Sequence, residues 1–130
     1  RLCRDGKRAM QIGIAQVGSG KPLAGIGNAI GRFAAGRGYT LIRNLASHGV
    51  GRSLHEYPEE IATWPTRSDR RRITKGLVLT VEPFLSTGGQ WADAGDDGWT
   101  LFSAPCAPVV QYEHTVVATD RGAIIVTLPG

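Results

Sequence analysis

Three side chains in this sequence have types and surroundings that suit a metal ion: His48, Glu82 and Glu113. His48 lies among small residues, which leave an imidazole free to face a cleft. Glu82 ends the apolar run 77–82, and Glu113 lies within the apolar run 109–117. A carboxylate in an apolar strand costs free energy unless a partner compensates its charge. A divalent cation bound together with an imidazole nitrogen is one such partner, and such centres activate water for hydrolysis.

The same three residues also have a purely structural explanation. A histidine beside glycines can be hydrogen-bonded within a turn, and each glutamate can pair with one of the many arginines. A globular α+β domain without catalysis is therefore an alternative. Metal binding that depends on His48 would exclude it.

Length and composition limit the kind of protein. At 130 residues, with 42% hydrophobic and 20% charged residues, the chain fits a single globular domain with a proper core. It has no apolar stretch of the ~20 residues that a membrane span needs. Its two cysteines lack a C-x-x-C spacing, so we expect reduced thiols and a cytoplasmic protein. Because Arg1 already lies in a predicted helix, we expect 1–130 to be a single partial domain of a longer protein.

The positive charge of the chain is modest. The formal net charge is +4, and its densest part is the arginine cluster at 67–72. A DNA-binding surface would need more basic residues, interleaved aromatic residues or a recognisable module. We therefore predict a solvated loop at this cluster, with ribosomal RNA as the alternative contact.

Apolar residues at helical spacing predict two helices in the first part of the chain. The first covers 2–17 and has four apolar residues on one face: Cys3, Met10, Ile14 and Val17. The second begins near Pro22 and ends at 36–38, with an apolar stripe of Ile26, Ile30, Phe33 and Ala34. Close packing against a sheet would explain the three glycines inside it: Gly25, Gly27 and Gly31.

From residue 77 onward the sequence is typical of strands separated by glycine turns. The predicted strands lie near 39–42, 77–82, 99–102, 109–118 and 123–128, and 56–76 is predicted to be an irregular connection. Helices first and antiparallel strands after them predict an α+β fold. Alternation along 109–118 places Glu113 on the same face as Gln111 and Thr115.

Five short blocks occur in order along the chain. They are His48-Gly49-Val50-Gly51-Arg52, His55-Glu56-Tyr57-Pro58, Thr80-Val81-Glu82-Pro83, Asp97-Gly98-Trp99-Thr100 and Gln111-Tyr112-Glu113-His114-Thr115. With these blocks the chain resembles the C-terminal half of type I methionine aminopeptidases, which are pita-bread metallopeptidases of family M24. The resemblance implies the C-terminal half of the pita-bread (creatinase/aminopeptidase) fold, in which two helices pack on a curved, mainly antiparallel sheet.

The resemblance also implies the chemistry: removal of the N-terminal methionine from nascent proteins by metal-activated water. His48, Glu82 and Glu113 would be metal ligands, with Glu113 bridging two divalent ions of cobalt, manganese, iron or zinc. Glu82 would also be the catalytic acid and base.

Three further residues would handle the substrate. His55 would be a catalytic residue that hydrogen-bonds the substrate and stabilises the developing negative charge. Leu54 and Trp99 would line the pocket for the methionine side chain. The partners implied are nascent polypeptide N-termini, with ribosome proximity as a possibility, no DNA and no membrane, and a monomer when full length.

The chain departs from the family pattern because two aspartate ligands and a further histidine would belong to the other half. We therefore expect weak or no activity from this chain alone, and an exposed apolar edge where that half is missing. A prolidase or aminopeptidase P is one alternative, although the block Gln111-Tyr112-Glu113-His114-Thr115 favours the methionine enzyme. A non-catalytic pita-bread binding module is another, and the presence of all three ligands argues against it.

Overall fold

The computed structural model describes residues 1–129, which form two helices followed by ten strands. The helices are α1 (Leu2–Ile14) and α2 (Ala24–Gly36). The strands are β1 (Thr40–Leu41), β2 (Ser47–Gly49), β3 (Glu56–Ile61), β4 (Val78–Val81), β5 (Phe84–Ser86), β6 (Trp91–Ala94), β7 (Leu101–Ala104), β8 (Val109–Gln111), β9 (His114–Thr119) and β10 (Gly122–Ile125). The strand pairings in this part of the chain are antiparallel, and the predicted α+β class is confirmed.

The strands form three sheets in the described residues. The largest has five strands in the order β10-β9-β4-β2-β3, and a second has three in the order β1-β5-β8. Strands β6 and β7 form a separate hairpin. The five-stranded sheet holds His48 on β2, next to β4.

Both candidate ligand glutamates lie where the chain passes between the two larger sheets. Strand β4 pairs with β9 as far as Val81, and β5 pairs with β8 from Phe84 onward. Between these pairings, Glu82-Pro83 faces Tyr112-Glu113, and none of the four residues belongs to a strand. Proline suits such a break because it has no N–H to donate to a ladder. We call these four residues the sheet corner.

Helix α1 lies directly on the strands that lead into the sheet corner, because glycines face them. A Cβ atom at Gly13 would approach Val81 Cγ1 to 2.9 Å and Ile30 Cδ1 to 2.8 Å, which is closer than side chains pack. Gly6 lies in the same way against Val110. The helix therefore fixes β4 and β8 where they approach the two glutamates.

The core lies between the helices and the sheets. The predicted stripe of α2 is confirmed, because all four residues pack into this core: Ile26, Ile30, Phe33 and Ala34. The predicted face of α1 is only partly right. Met10 is buried, but Cys3 is exposed, and Val17 is buried beyond the end of the helix. The helix instead buries small residues on this face, which allows its close approach to the strands.

The glycines of α2 do not pack against a sheet as predicted. Gly27 lies against the backbone oxygens of Ala62 and Trp64, and Gly31 lies against Pro65. These neighbours belong to the segment that follows β3. Gly25 has no atom closer than 4.0 Å to the position of a Cβ, so packing does not explain it.

Several strand predictions differ from the structure. The connection 56–76 was expected to be irregular, but it begins with β3, an edge strand whose polar residues resemble a loop sequence. The predicted strand 109–118 is two strands, β8 and β9, interrupted at the sheet corner. The predicted strand at 99–102 is β7, which begins at Leu101, and the strand at 123–128 is β10, which ends at Ile125. The short strands β2, β5 and β6 were not predicted.

Strand β10 is the other edge of the five-stranded sheet, and apolar side chains near it are more than half exposed: Ile124, Val126 and Leu128. The expected apolar edge next to the missing half stays a prediction. Cys3 and Cys106 are free thiols, and both are exposed. Within residues 1–129, no helix combines the length and the apolar character that crossing a membrane requires.

Candidate active site

Strand β2 holds His48 in an irregular part of the five-stranded sheet. The register between β2 and β3 shifts between Ser47 and Gly49, on either side of the histidine. The backbone N–H of His48 donates to the hydroxyl of Thr80, with 3.1 Å between the nitrogen and Oγ1. His48 is only 5% exposed, so its ring is held within the protein rather than in solvent.

The two ring nitrogens of His48 have different partners. Nδ1 lies 2.8 Å from the carbonyl oxygen of Gly49, and a carbonyl can only accept, so Nδ1 carries the proton. In the neutral ring, Nε2 then offers a lone pair. It faces Oε1 of Glu82 at 3.3 Å. Two lone pairs turned toward each other call for a cation near them, either a proton or a metal ion.

Glu82 is held at both its backbone and its carboxylate. Its backbone N–H donates to Ser47 Oγ at 3.0 Å, and its Oε1 accepts a hydrogen bond from Thr80 Oγ1 at 2.8 Å. Burial raises the pKa of the Glu82 carboxyl above its usual value. The bond from Thr80 opposes this rise, and the nearby negative charge of Glu113 adds to it.

The side-chain amide of Gln111 connects the two glutamates. Its Nε2 donates to Glu82 Oε2 at 3.3 Å and to Glu113 Oε2 at 3.1 Å. Glu113 is otherwise exposed to solvent. Both carboxylates and His48 line one open cleft of about 390 Å³. The residues around it are Asn44, Leu45, Ala46, His48, Leu54, His55, Glu82, Phe84 and Glu113.

His55 and Leu54 lie at the mouth of this cleft. The His55 ring stacks on the His48 ring with 3.9 Å between centroids and 33° between planes. Leu54 is 72% exposed, so its side chain offers apolar surface to anything that enters the cleft. Both residues therefore lie beside the carboxylates, as the substrate-binding roles predicted for them require.

Trp99 is the one predicted site residue that the structure does not bring to the cleft. It lies in the turn between β6 and β7, is 90% exposed and does not line the cleft. Asp97 fixes this turn because its Oδ1 accepts from the backbone N–H groups of Trp99 and Thr100 at 2.9 and 2.7 Å. Phe84 is the aromatic residue that lines the cleft here.

Four residues of the site were not predicted as such: Ser47, Thr80, Phe84 and Gln111. Thr80 and Gln111 each precede a candidate glutamate by two positions, the spacing that puts side chains on one face of a strand. That spacing was visible in the sequence. The hydrogen bond that the backbone N–H of Glu82 donates to Ser47 Oγ had no such signal in the sequence, because it depends on how β2 meets β4.

The donor atoms fit part of a divalent metal site. An imidazole nitrogen and two carboxylates are ligands that manganese, iron, cobalt and zinc accept. In the part of the chain that the structure describes, no group of three His, Cys, Asp or Glu side chains is arranged to hold a metal ion by itself. Glu113 reaches the pair formed by His48 and Glu82 through the Gln111 amide. The assignment of all three as ligands therefore stays a prediction.

The chain belongs to metallopeptidase family M24, whose family model matches residues 1–120. It is 38% identical over 127 residues to methionine aminopeptidase 2 of Bacillus subtilis. The aligned region covers 98% of this chain and 51% of that protein. The crystal structure of methionine aminopeptidase from Rickettsia prowazekii superposes with a TM-score of 0.91 at 32% identity, over 98% of this chain and 52% of that one. The resemblance read from the five blocks is confirmed.

The fold extends to other peptidases. The prolidase from Pyrococcus horikoshii has a TM-score of 0.70 at 20% identity, over 99% of this chain and 31% of that one, which shows a shared fold alone. The predicted pita-bread fold is confirmed by these similarities. The chain spans about half the length of the methionine aminopeptidases it matches.

Proposed function

We propose that this chain forms the C-terminal half of a metal-dependent aminopeptidase that removes the N-terminal methionine of nascent proteins. One observation carries the proposal: His48, Glu82 and Glu113 line one cleft, and His48 Nε2 turns its lone pair toward Glu82 Oε1. The similarity to methionine aminopeptidases supports the reaction class.

Divalent ions bound here, two of them by analogy with the family, would lower the pKa of a bound water molecule to about 7 and so supply hydroxide at neutral pH. His48, Glu82 and Glu113 hold the ions in this proposal. Glu82 also takes up the proton that the attacking water loses. His55, stacked on His48 at the mouth of the cleft, donates a hydrogen bond to the oxygen of the scissile peptide as negative charge develops on it.

Apolar side chains beside the carboxylates would accept the methionine side chain. Leu45, Leu54 and Phe84 line the same cleft as the two glutamates. An apolar pocket alone discriminates by roughly 1–3 kcal/mol per methylene, so its shape sets a preference and not an absolute rule. Trp99 stays a predicted pocket residue, and it is 90% exposed in this half of the fold.

The complete site would include residues outside this chain. The family resemblance implies two aspartate ligands and a histidine in the other half, and the chain spans about half of its relatives. We propose that the complete protein is a cytoplasmic monomer that acts on nascent chains in proximity to the ribosome.

Peptide hydrolysis by the complete natural polypeptide tests the proposal. With Mn²⁺ or Co²⁺ present, we expect cleavage of Met-Ala-Ser and little cleavage of a peptide with proline in second position. Preference for the proline peptide would instead indicate a prolidase or aminopeptidase P. The variant Glu82→Gln should abolish cleavage, whereas Glu59→Gln, which changes an exposed glutamate on β3, should not.

Metal binding separates catalysis from a binding module. We expect calorimetric binding of Mn²⁺ to the complete polypeptide and its loss in His48→Ala. Unchanged binding in that variant, together with no hydrolysis of either peptide, would contradict the proposal.

A further inference from the structure

A closed ring of contacts links His48 to Glu82 through the hydroxyl of Thr80. The backbone N–H of His48 donates to Thr80 Oγ1 at 3.1 Å, and that hydroxyl donates to Glu82 Oε1 at 2.8 Å. The same carboxylate oxygen lies 3.3 Å from Nε2 of His48, which completes the ring. Thr80 is 1% exposed, so water does not compete for its hydroxyl.

A second hydroxyl, that of Ser47 on β2, holds the backbone of Glu82. Ser47 Oγ accepts the backbone N–H of Glu82 at 3.0 Å, and Ser47 is fully buried. Strands β2 and β4 have one register pair, Gly49↔Leu79, and the register of β2 shifts beside His48. Where the regular ladder stops, two side-chain hydroxyls therefore join the strand of the histidine to the residue that bears the carboxylate.

We propose that Thr80 and Ser47 are positioning residues that hold the Glu82 carboxylate against the His48 imidazole for metal binding. This inference rests on the proposed function, since it assigns a purpose to the pair formed by His48 and Glu82. The Thr80 hydroxyl donates its only proton to Glu82 Oε1, and its oxygen accepts the backbone N–H of His48. The hydroxyl therefore fixes both partners at once.

The alternative is that Thr80 merely fills space in the sheet. A valine has nearly the same shape and would fill it equally well, but it cannot donate or accept a hydrogen bond. Without the hydroxyl, the Glu82 carboxylate keeps the Gln111 amide as a donor and is free to turn away from the imidazole. Hydrogen-bond partners of metal ligands typically change metal affinity by roughly 10- to 100-fold when they are removed.

The test compares Mn²⁺ affinity by calorimetry in the complete natural polypeptide and its variants. Thr80→Val should weaken Mn²⁺ binding about tenfold, while Thr80→Ser, which restores the hydroxyl, should bind as tightly as the wild type. Thr63→Val is the matched control. Thr63 is equally buried, and among the described residues its hydroxyl has no hydrogen-bond partner. With Met-Ala-Ser as substrate, Thr80→Val should have a lower kcat than the wild type and an unchanged KM.

Each outcome decides the inference. Wild-type affinity in Thr80→Val overturns it, and so does an equal loss of affinity in Thr63→Val. If Thr80→Val does not fold, Ser47→Ala replaces it, and unchanged Mn²⁺ affinity there overturns the inference for both hydroxyls. A wild-type protein that binds no Mn²⁺ overturns the proposed function together with the inference. A wild type that binds and hydrolyses normally while the variants match it overturns the inference alone.

Discussion

Glu82 and Glu113 share a single hydrogen-bond donor, the side-chain amide of Gln111. Its nitrogen lies 3.3 Å from one carboxylate and 3.1 Å from the other. The two acidic groups come together because both sit in the sheet corner, where paired strands pass from one sheet to the next. Their mutual repulsion adds to the effect of burial and keeps the pKa of Glu82 raised. The sheet corner therefore holds two carboxylates whose mutual repulsion a bound cation would reduce.

Glu82→Gln should stabilise the metal-free protein at neutral pH. The folded-state pKa of Glu82 lies above its value of 4.5 in the unfolded chain, so the ionised group opposes folding at higher pH. This penalty is relieved as pH falls through the raised pKa toward 4.5. Thermal unfolding in a chelator should show a higher Tm for the variant at pH 7 and a shrinking difference at lower pH. Glu59→Gln is the control, and an equal gain there would contradict the explanation.

Tyr39→Phe should destabilise the protein at neutral pH and less so in acid. The Tyr39 hydroxyl donates to Asp5 Oδ2 at 2.7 Å, and this bond, with help from Arg37 and Arg4, lowers the pKa of Asp5. A carboxyl with a lowered pKa stabilises the fold above 3.8, and this stability is lost as pH falls through the folded-state pKa. Tm measured from pH 7 downward checks this. Tyr57→Phe should have no such effect, because Tyr57 is largely exposed.

Gly27→Ala should destabilise the protein by about 3 kcal/mol, because the added methyl group would strike backbone oxygens of Ala62 and Trp64 that cannot turn aside. Gly36→Ala is the matched control in the same helix. It has open space around it, and it should raise stability by about 0.5 kcal/mol through the unfolded chain. Urea denaturation of both variants measures the two effects. A similar gain in both would show that helix propensity, and not close packing, decides.

The carboxyl of Asp97 should titrate with a pKa of about 2 in an NMR experiment. The side-chain hydrogen bond from Thr100 is the largest cause, and backbone N–H groups of Thr100 and Trp99 add to it. Thr100→Val should therefore raise the pKa of Asp97 toward 3.8. Thr74→Val changes an exposed threonine on another loop and should leave it unaltered. A normal value in the wild type would mean that the β6–β7 turn is not closed in this way.

The sequence predicted which residues line the site better than it predicted how those residues are arranged. Residue types and the five blocks were enough to select His48, Glu82, Glu113 and His55, because ligand chemistry limits which side chains suit a metal. The break at Tyr112-Glu113 could not be seen, since alternation continues through 109–118 and only the pairing with β4 and β5 reveals the corner. Pro83 was a signal for it on the other side.

Two other misses have physical reasons. Strand β3 carries Pro58 and several glutamates, a composition typical of loops that an edge strand also tolerates. The Ser47 hydroxyl accepts from the backbone of a residue 35 positions away, and no local pattern encodes that contact.

The sheet corner sets rules for how related sequences can change length. Side chains of an extended backbone alternate between faces, so one residue inserted between Val81 and Glu82 would turn Glu82 to the opposite face relative to β4. Insertions and deletions among homologues should therefore be absent from both arms of the corner.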